Sequence, residues 1–168
     1  MTRRPTAELR ACSDEMLLRD CRWDAFRGPG PGGQKRNKTS SAVRLTHNPT
    51  GIAATAGERR SQQQNRDAAL RRLRHRMLLE LREPLDPETF QPPESFHLNV
   101  GPRAAHYLTI AGLVLDVLAA CEWSVSDAAR LLRVTTGALV RFLQNDQKLM
   151  AHVNEQRATA GLKTLGTR

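Results

Sequence analysis

Apolar and polar residues alternate in the first half of the chain in a pattern that predicts a small β-sheet. Residues 42–46 read Ala-Val-Arg-Leu-Thr, the alternation of a strand with one buried face. Asn48-Pro49-Thr50-Gly51 is a turn signal, and residues 52–56 then predict the returning strand of a hairpin. Residues 22–27 predict a further short strand, which leads into a glycine-rich stretch.

The apolar spacing changes from a strand period to a helix period after residue 60. Ser61 and Gln64 match a capping box, in which the first residue caps the helix and the second reaches back to it. The apolar residues that follow at helical spacing are Leu70, Leu73, Met77 and Leu81. The pattern therefore predicts an α+β module, in which a small mixed or antiparallel sheet packs on an amphipathic helix.

The second half of the chain has only helical periodicity. Residues 107–121 carry a broad apolar face, a second helix is expected to start at Ser126-Asp127, and Ala138, Leu139, Phe142 and Leu143 mark a third. A short break at 133–136 separates the last two. This arrangement resembles a helix-turn-helix, and an ordinary αα-hairpin has the same pattern, so both interpretations remain open.

A proline-rich segment separates the two patterns. Pro84, Pro87, Pro92 and Pro93 cannot continue a helix and favour extended chain. The sequence thus predicts a first domain over residues 1–83, a linker over 84–101 and an all-α, helix-turn-helix-like module over 102–168.

The charge distribution follows the same division. Residues 1–83 contain 18 basic and 9 acidic residues, whereas residues 84–168 contain eight of each, so the net charge of +9 belongs to the first part. Between residues 59 and 79 the only acid is Asp67. A solvated helix face would explain the arginines between residues 59 and 79, but their concentration favours contact with RNA phosphates.

Other classes of site and location find less support. Cys12, Cys21 and Cys121 have no metal-ligand spacing, and we expect neither a metal nor a cofactor. We find no apolar run long enough to cross a bilayer and no signal core, so we expect a cytoplasmic protein that does not contact a membrane.

The glycine-rich stretch at residues 27–44 is the candidate for chemistry. A dinucleotide fingerprint fits Gly28, Gly30 and Gly33, but it requires a helix directly afterwards, and the sequence here becomes strand-like. A phosphate-binding P-loop requires Lys where Gln34 stands. We reject both interpretations.

The same stretch resembles the signature of the peptide-chain release factor superfamily, the GGQ domain. The resemblance covers roughly residues 14–82. It continues in order through residues 41–44, His47, residues 49–52, residues 60–62, Asn65 and residues 69–70. Gly28 and the pair Lys35-Arg36 depart from the family's usual residues, and the pair makes the stretch more cationic.

The resemblance implies hydrolysis of the peptidyl-tRNA ester on the ribosome. Gly32, Gly33 and Gln34 would be catalytic, with the Gln34 backbone N–H stabilising the transition state. Its partners would be large-subunit ribosomal RNA, P-site peptidyl-tRNA and a methyltransferase that modifies Gln34. The basic and loop residues expected to contact RNA are Arg27, Lys35, Arg36, Asn37, Lys38, Arg44, Arg59, Arg60, Arg66 and Arg72.

The resemblance is closer to the short, codon-independent ribosome-rescue factors than to the codon-reading ones, because the loop begins by residue 28. Rescue factors usually end in a long basic tail, and residues 145–168 contain only four basic residues against two acids. We therefore expect the helical module to replace the tail in a monomeric protein. The alternative is a non-catalytic ribosome- or nucleic-acid-binding regulatory module.

Overall fold

The computed structural model describes residues 6–27 and 41–166. The described residues form two compact units. The first contains residues 12–77, and the second contains residues 6–11 together with the chain from Leu78 onward. The predicted domain limits at residues 83 and 102 remain predictions.

The first unit contains the antiparallel sheet that the alternation predicts. Its strands are β1 (Cys21–Phe26), β2 (Ala42–His47) and β3 (Ala53–Ala56), paired in the order β1-β2-β3. Gly51 closes the β2–β3 turn with φ +73°, a conformation that glycine adopts without steric cost, and its N–H donates to the His47 carbonyl at 2.8 Å.

Two helices belong wholly or mainly to this unit. Helix α2 (Asp14–Arg19) starts after Ser13, whose side chain accepts from the Met16 N–H. Helix α3 (Gln62–Glu80) starts after Ser61, whose hydroxyl accepts from the Gln64 N–H at 3.4 Å, so the predicted cap is confirmed. The helix buries every fourth residue of one stripe, namely Asn65, Ala69, Leu73 and Met77. The predicted α+β class is confirmed.

Two arginines of α3 cover the outer edge of β3. Arg72 donates to the Thr55 carbonyl at 2.6 Å, and Arg76 donates to the Ala53 carbonyl. Unpaired edge carbonyls normally face solvent and offer a template for another strand. Here side chains four residues apart on one helix satisfy them.

The second unit is helical. It contains α1 (Thr6–Ala11), α4 (Tyr107–Ala120), α5 (Val125–Leu131), α6 (Thr136–Gln144) and α7 (Gln147–Thr159). The helices over residues 107–120, 125–131 and 136–144 match the three predicted ones, although Ser124 rather than Ser126 caps α5. Residues 81–106 form neither helix nor strand, and six of their apolar side chains belong to the helical core or pack against it: Leu85, Phe90, Phe96, Leu98, Val100 and Ala104.

A buried ion pair joins α1 to α4. Arg10 forms two hydrogen bonds to the Asp116 carboxylate, and their side chains are 5% and 4% exposed. Arg10 also donates to the Leu81 carbonyl at 2.8 Å, and the Glu83 N–H donates to Asp116 at 3.1 Å. The paired guanidinium and amide groups compensate for burying a carboxylate inside an otherwise apolar helix.

The turn between α5 and α6 uses a left-handed residue. Arg133 has φ +55°, and its N–H donates to the Arg130 carbonyl, while the Val134 N–H donates to the Ala129 carbonyl. These are the two hydrogen bonds of a Schellman motif, which usually has glycine at this position. Arg133 therefore adopts the left-handed conformation that glycine usually adopts at this position.

Candidate functional site

Seven of the predicted site residues lie outside the described residues, and they belong to the segment 28–40. They are Gly32, Gly33, Gln34, Lys35, Arg36, Asn37 and Lys38. Both flanks of the segment are described, and they define the base from which it starts.

The sheet brings the two flanks together. The cross-strand pair at this end of β1 and β2 is Phe26 with Ala42. Arg27 directly follows β1 and Ser41 directly precedes β2, so both flanks lie at the same end of neighbouring strands. Opposite residues in an antiparallel pair lie about 5 Å apart. The segment that carries Gln34 is therefore anchored at both ends on one sheet, and Arg27 is exposed beside it.

Asn65 fixes the second flank. Its side chain is fully buried, and its amide donates to the Ser41 carbonyl at 2.7 Å and to the Arg59 carbonyl at 2.8 Å. Its side-chain oxygen accepts from the Arg59 N–H at 2.9 Å. One amide of α3 thus ties the end of the segment to the β3–α3 loop with three hydrogen bonds. In the sequence, only the resemblance to the family distinguishes Asn65 from other polar residues of the helix.

The neighbouring loop packs closely against the same base. A Cβ placed on Gly57 would lie 3.0 Å from the Cβ of Ala42, which is the first residue of β2. A side chain at position 57 would therefore press on the strand directly after Ser41. The close approach of the loop to β2 favours glycine at this position.

Two of the predicted RNA-contacting arginines lie over aromatic rings. The Arg44 guanidinium is 5.6 Å from the centre of the Phe26 ring, and that of Arg66 is 5.8 Å from the Trp23 ring. Arg44 is exposed on β2, whereas Trp23 is 49% exposed on β1. Cation–π contact orients both guanidinium groups beside the sheet.

The structure divides the arginines of α3 into two groups. Arg72 pairs with Glu58 at 2.9 Å as well as with Thr55, and Arg74 bonds Asp14 at 2.7 Å and the Cys12 carbonyl. Such arginines contribute to holding this unit together. Arg71 on α3, and Arg59 and Arg60 on the loop before it, are exposed, and no side-chain hydrogen bond or ion pair joins them to another described residue. Arg71 shares the general expectation of RNA contact for this stretch but was not among the individually predicted residues, because no signal in the sequence separates it from Arg72.

Two cysteine thiols among the described residues are less acidic than an ordinary thiol. Burial raises the pKa of the Cys21 thiol to about 11 and also raises the pKa of Cys121, so both thiols are protonated near neutral pH. No three His, Cys, Asp or Glu residues in the described part of the chain are grouped so as to hold a metal ion. None of the described helices has both the length and the apolar character needed to cross a bilayer.

Comparison with known proteins places the first unit in a family. The model of the RF-1 domain matches residues 14–92, a range that includes the segment 28–40. Peptide chain release factor 1 of Lachnoclostridium phytofermentans is 52% identical over 75 residues, which is 44% of this chain and 21% of that protein. The corresponding protein of Leifsonia xyli is 52% identical over 74 residues, again 44% of this chain and 21% of the relative.

A second type of release factor matches the chain as well. Peptide chain release factor 2 of Beutenbergia cavernae is 55% identical over 64 residues, which is 38% of this chain and 17% of that protein. The chain thus spans about a fifth of the length of these relatives. The shared portion and the RF-1 domain match show that residues 14–92 of this chain carry the domain of the peptide chain release factor superfamily.

Proposed function

We propose that this protein hydrolyses the ester bond of peptidyl-tRNA on the ribosome and so releases the nascent chain in translation termination. The observation that carries the proposal is the RF-1 domain match over residues 14–92, which includes Gly32-Gly33-Gln34. The sheet supports the proposal, because Arg27 at the end of β1 and Ser41 at the start of β2 hold the two ends of the segment side by side.

The chemistry follows from a backbone amide rather than from an acid–base set. Gly32 and Gly33 have no Cβ, which allows the chain to approach RNA closely. The Gln34 N–H donates to the oxyanion that develops as water attacks the ester carbonyl, and one such donor is worth roughly 10²–10³ in rate. The Gln34 side chain positions the water, and a methyltransferase modifies its amide.

We propose further that peptide release does not depend on the codon in the ribosomal A site. The support is the resemblance to the short rescue factors, whereas the relatives named above are release factors 1 and 2. The protein acts as a monomer in the cytoplasm, and the exposed Arg27, Arg44, Arg59 and Arg60 contact large-subunit RNA, as do Lys35, Arg36 and Lys38. Arg66 and Arg72 also belong to this predicted set.

The helical unit would dock the protein on the stalled ribosome in place of a basic tail. Its exposed cations include Arg130 on α5 and Arg141 on α6. Removing residues 101–168 would delete most of a packed core, so charge reversal is the cleaner test. Arg130→Glu with Arg141→Glu is expected to weaken ribosome binding several-fold, and undiminished binding would reject a docking role for α5 and α6.

The deciding experiment is peptide release in vitro. Ribosomes carrying labelled peptidyl-tRNA are programmed with truncated mRNA, with intact sense mRNA or with a stop codon in the A site. Codon-independent rescue predicts fastest release on truncated mRNA. Release confined to stop codons would reject codon independence, and ribosome binding without release on any template would favour the non-catalytic alternative.

A further inference from the structure

We propose that a groove beside the N-terminal half of α3 binds a phosphodiester of ribosomal RNA through Arg59 and Arg71. The groove encloses about 560 Å³ and is lined by the β3–α3 loop and by successive turns of the helix. The proposal rests on the proposed function and goes beyond the general basic character of this stretch, because it assigns Arg59 and Arg71 to one groove.

The charges of the groove leave a positive excess. Glu58 accepts hydrogen bonds from its own backbone N–H and from Arg72, which lower its pKa and keep it ionised. That pair is mutually compensated. The remaining charges are Arg59 and Arg71 against Asp67, whose carboxylate accepts from the Gln63 amide at 3.0 Å.

The two arginines are available for a ligand in a way that their neighbours are not. Arg72, Arg74 and Arg76 donate to carbonyl or carboxylate groups of their own unit. Arg59 and Arg71 are exposed, and no side-chain bond from either reaches another described residue. A guanidinium presents a planar fork of donors that matches the oxygens of a phosphate.

The position of Arg59 connects the groove to the base of the segment 28–40. Its backbone N–H and carbonyl are both held by Asn65, which also binds the Ser41 carbonyl. A phosphate held by the Arg59 side chain would therefore lie on the same loop that braces the segment. Binding there would fix the protein on RNA beside the described flank at Ser41.

The test is the salt dependence of ribosome binding by the full chain. Arg59→Gln and Arg71→Gln are made singly and together, and Arg19→Gln is the matched control, since Arg19 is an exposed arginine of the same unit outside the groove. Loss of each phosphate contact should reduce the slope of log K against log[salt] by roughly 0.7–0.9. Each single variant should bind about fivefold more weakly at about 0.1 M salt.

Asp67→Asn should have the opposite effect. It removes a negative charge that repels a phosphate in the groove, so ribosome binding should become tighter. If the slopes of log K against log[salt] for both arginine variants equalled that of Arg19→Gln, the proposed phosphate site in the groove would be rejected. Peptide release by the wild-type protein is measured on the same ribosomes. Absent wild-type release would reject the proposed function, whereas normal release with unchanged slopes in the variants would reject the groove alone.

Discussion

The side-chain amide of Asn65 donates to the backbone carbonyl of Ser41 across 24 residues of sequence, at 2.7 Å and without contact to solvent. Ser41 is the last residue before β2 and directly follows the segment that carries Gln34. A buried amide that makes three hydrogen bonds resists displacement, because breaking them leaves polar groups unpaired. Asn65 therefore determines where the segment rejoins the sheet.

Replacing Asn65 by Asp should separate positioning from stability. The aspartate keeps the shape and the oxygen that accepts from Arg59, but it loses both donors. We expect a lower free energy of unfolding, by about 1–3 kcal/mol, and a fall in kcat for peptide release that exceeds the change in KM. Leu73→Ala is the control, since Leu73 is buried on the same helix. An equal fall in kcat for both variants would show that only stability matters.

The proposed chemistry predicts that Gln34→Pro and Gln34→Ala differ. Proline has no backbone N–H, so the oxyanion donor is lost and single-turnover peptide release should fall by at least about 10²-fold. Alanine keeps the donor and should retain more of the rate. Both variants should bind ribosomes like the wild-type protein. Equal release rates for the proline variant and the wild type would remove the amide from the mechanism.

The buried pair of Arg10 and Asp116 makes Gly112 intolerant of a side chain. A Cβ on Gly112 would overlap the Arg10 side chain, which its hydrogen bonds to Asp116 hold in place. Gly112→Ala should therefore lower Tm, by an amount that corresponds to about 1–3 kcal/mol of overpacking.

Gly137 supplies the comparison for that substitution. It lies within α6, and a Cβ there meets no atom within 4 Å. Gly137→Ala should raise the free energy of unfolding by about 0.5–1 kcal/mol, because alanine loses less backbone entropy on folding. Thermal unfolding of both variants checks the pair. A stabilising Gly112→Ala would contradict the description of Arg10.

Tyr107 is the only tyrosine of the chain, so absorbance at 295 nm reports on it alone. Burial, followed by the charge of Asp146 and the hydrogen bond to its carboxylate at 2.9 Å, raises the pKa of the phenol. The folded protein should show no phenolate through pH 10–11, whereas the chain unfolded in guanidinium should titrate near 10. Phenolate formation near pH 10 in the folded protein would refute the shift.

The same shift has a consequence for stability. The folded state holds the phenol proton more tightly than the unfolded state, so this contribution is fully present below pH 10. It is lost as the pH rises above the unfolded pKa towards the folded one. In Tyr107→Phe this component of the pH dependence should disappear.

Local patterns in the sequence predicted the elements whose signals are local. The alternation around Val43 and Leu45 predicted β2, and both side chains are fully buried. Ser61 was predicted as a helix cap and forms one. Helix α7 was missed because only Leu149, Met150 and Val153 of its 13 residues are buried, too few to give a clear apolar stripe. Helix α1 was missed because its partner Asp116 lies 106 residues from Arg10.

The site was less predictable than the fold. Arg71 and Arg72 are neighbours of one type and both line the groove, yet Arg72 bonds Thr55 and Glu58, while no side-chain bond joins Arg71 to another described residue. Their difference depends on where the helix lies over β3, which a single sequence does not reveal. The family motif identified the segment with Gln34, but no pattern indicated that Asn65 would hold its flank.

The guanidinium groups of Arg72 and Arg76 on the β3 carbonyls also bear on self-association. An uncovered outer strand can recruit the same strand of another molecule and propagate into fibrils. Here the covering donors come from the helix itself, so the sheet is shielded as soon as α3 folds over it. Substitutions that remove the charge of Arg72 and Arg76 should therefore cause polymerisation at high protein concentration before they cause any loss of helix content.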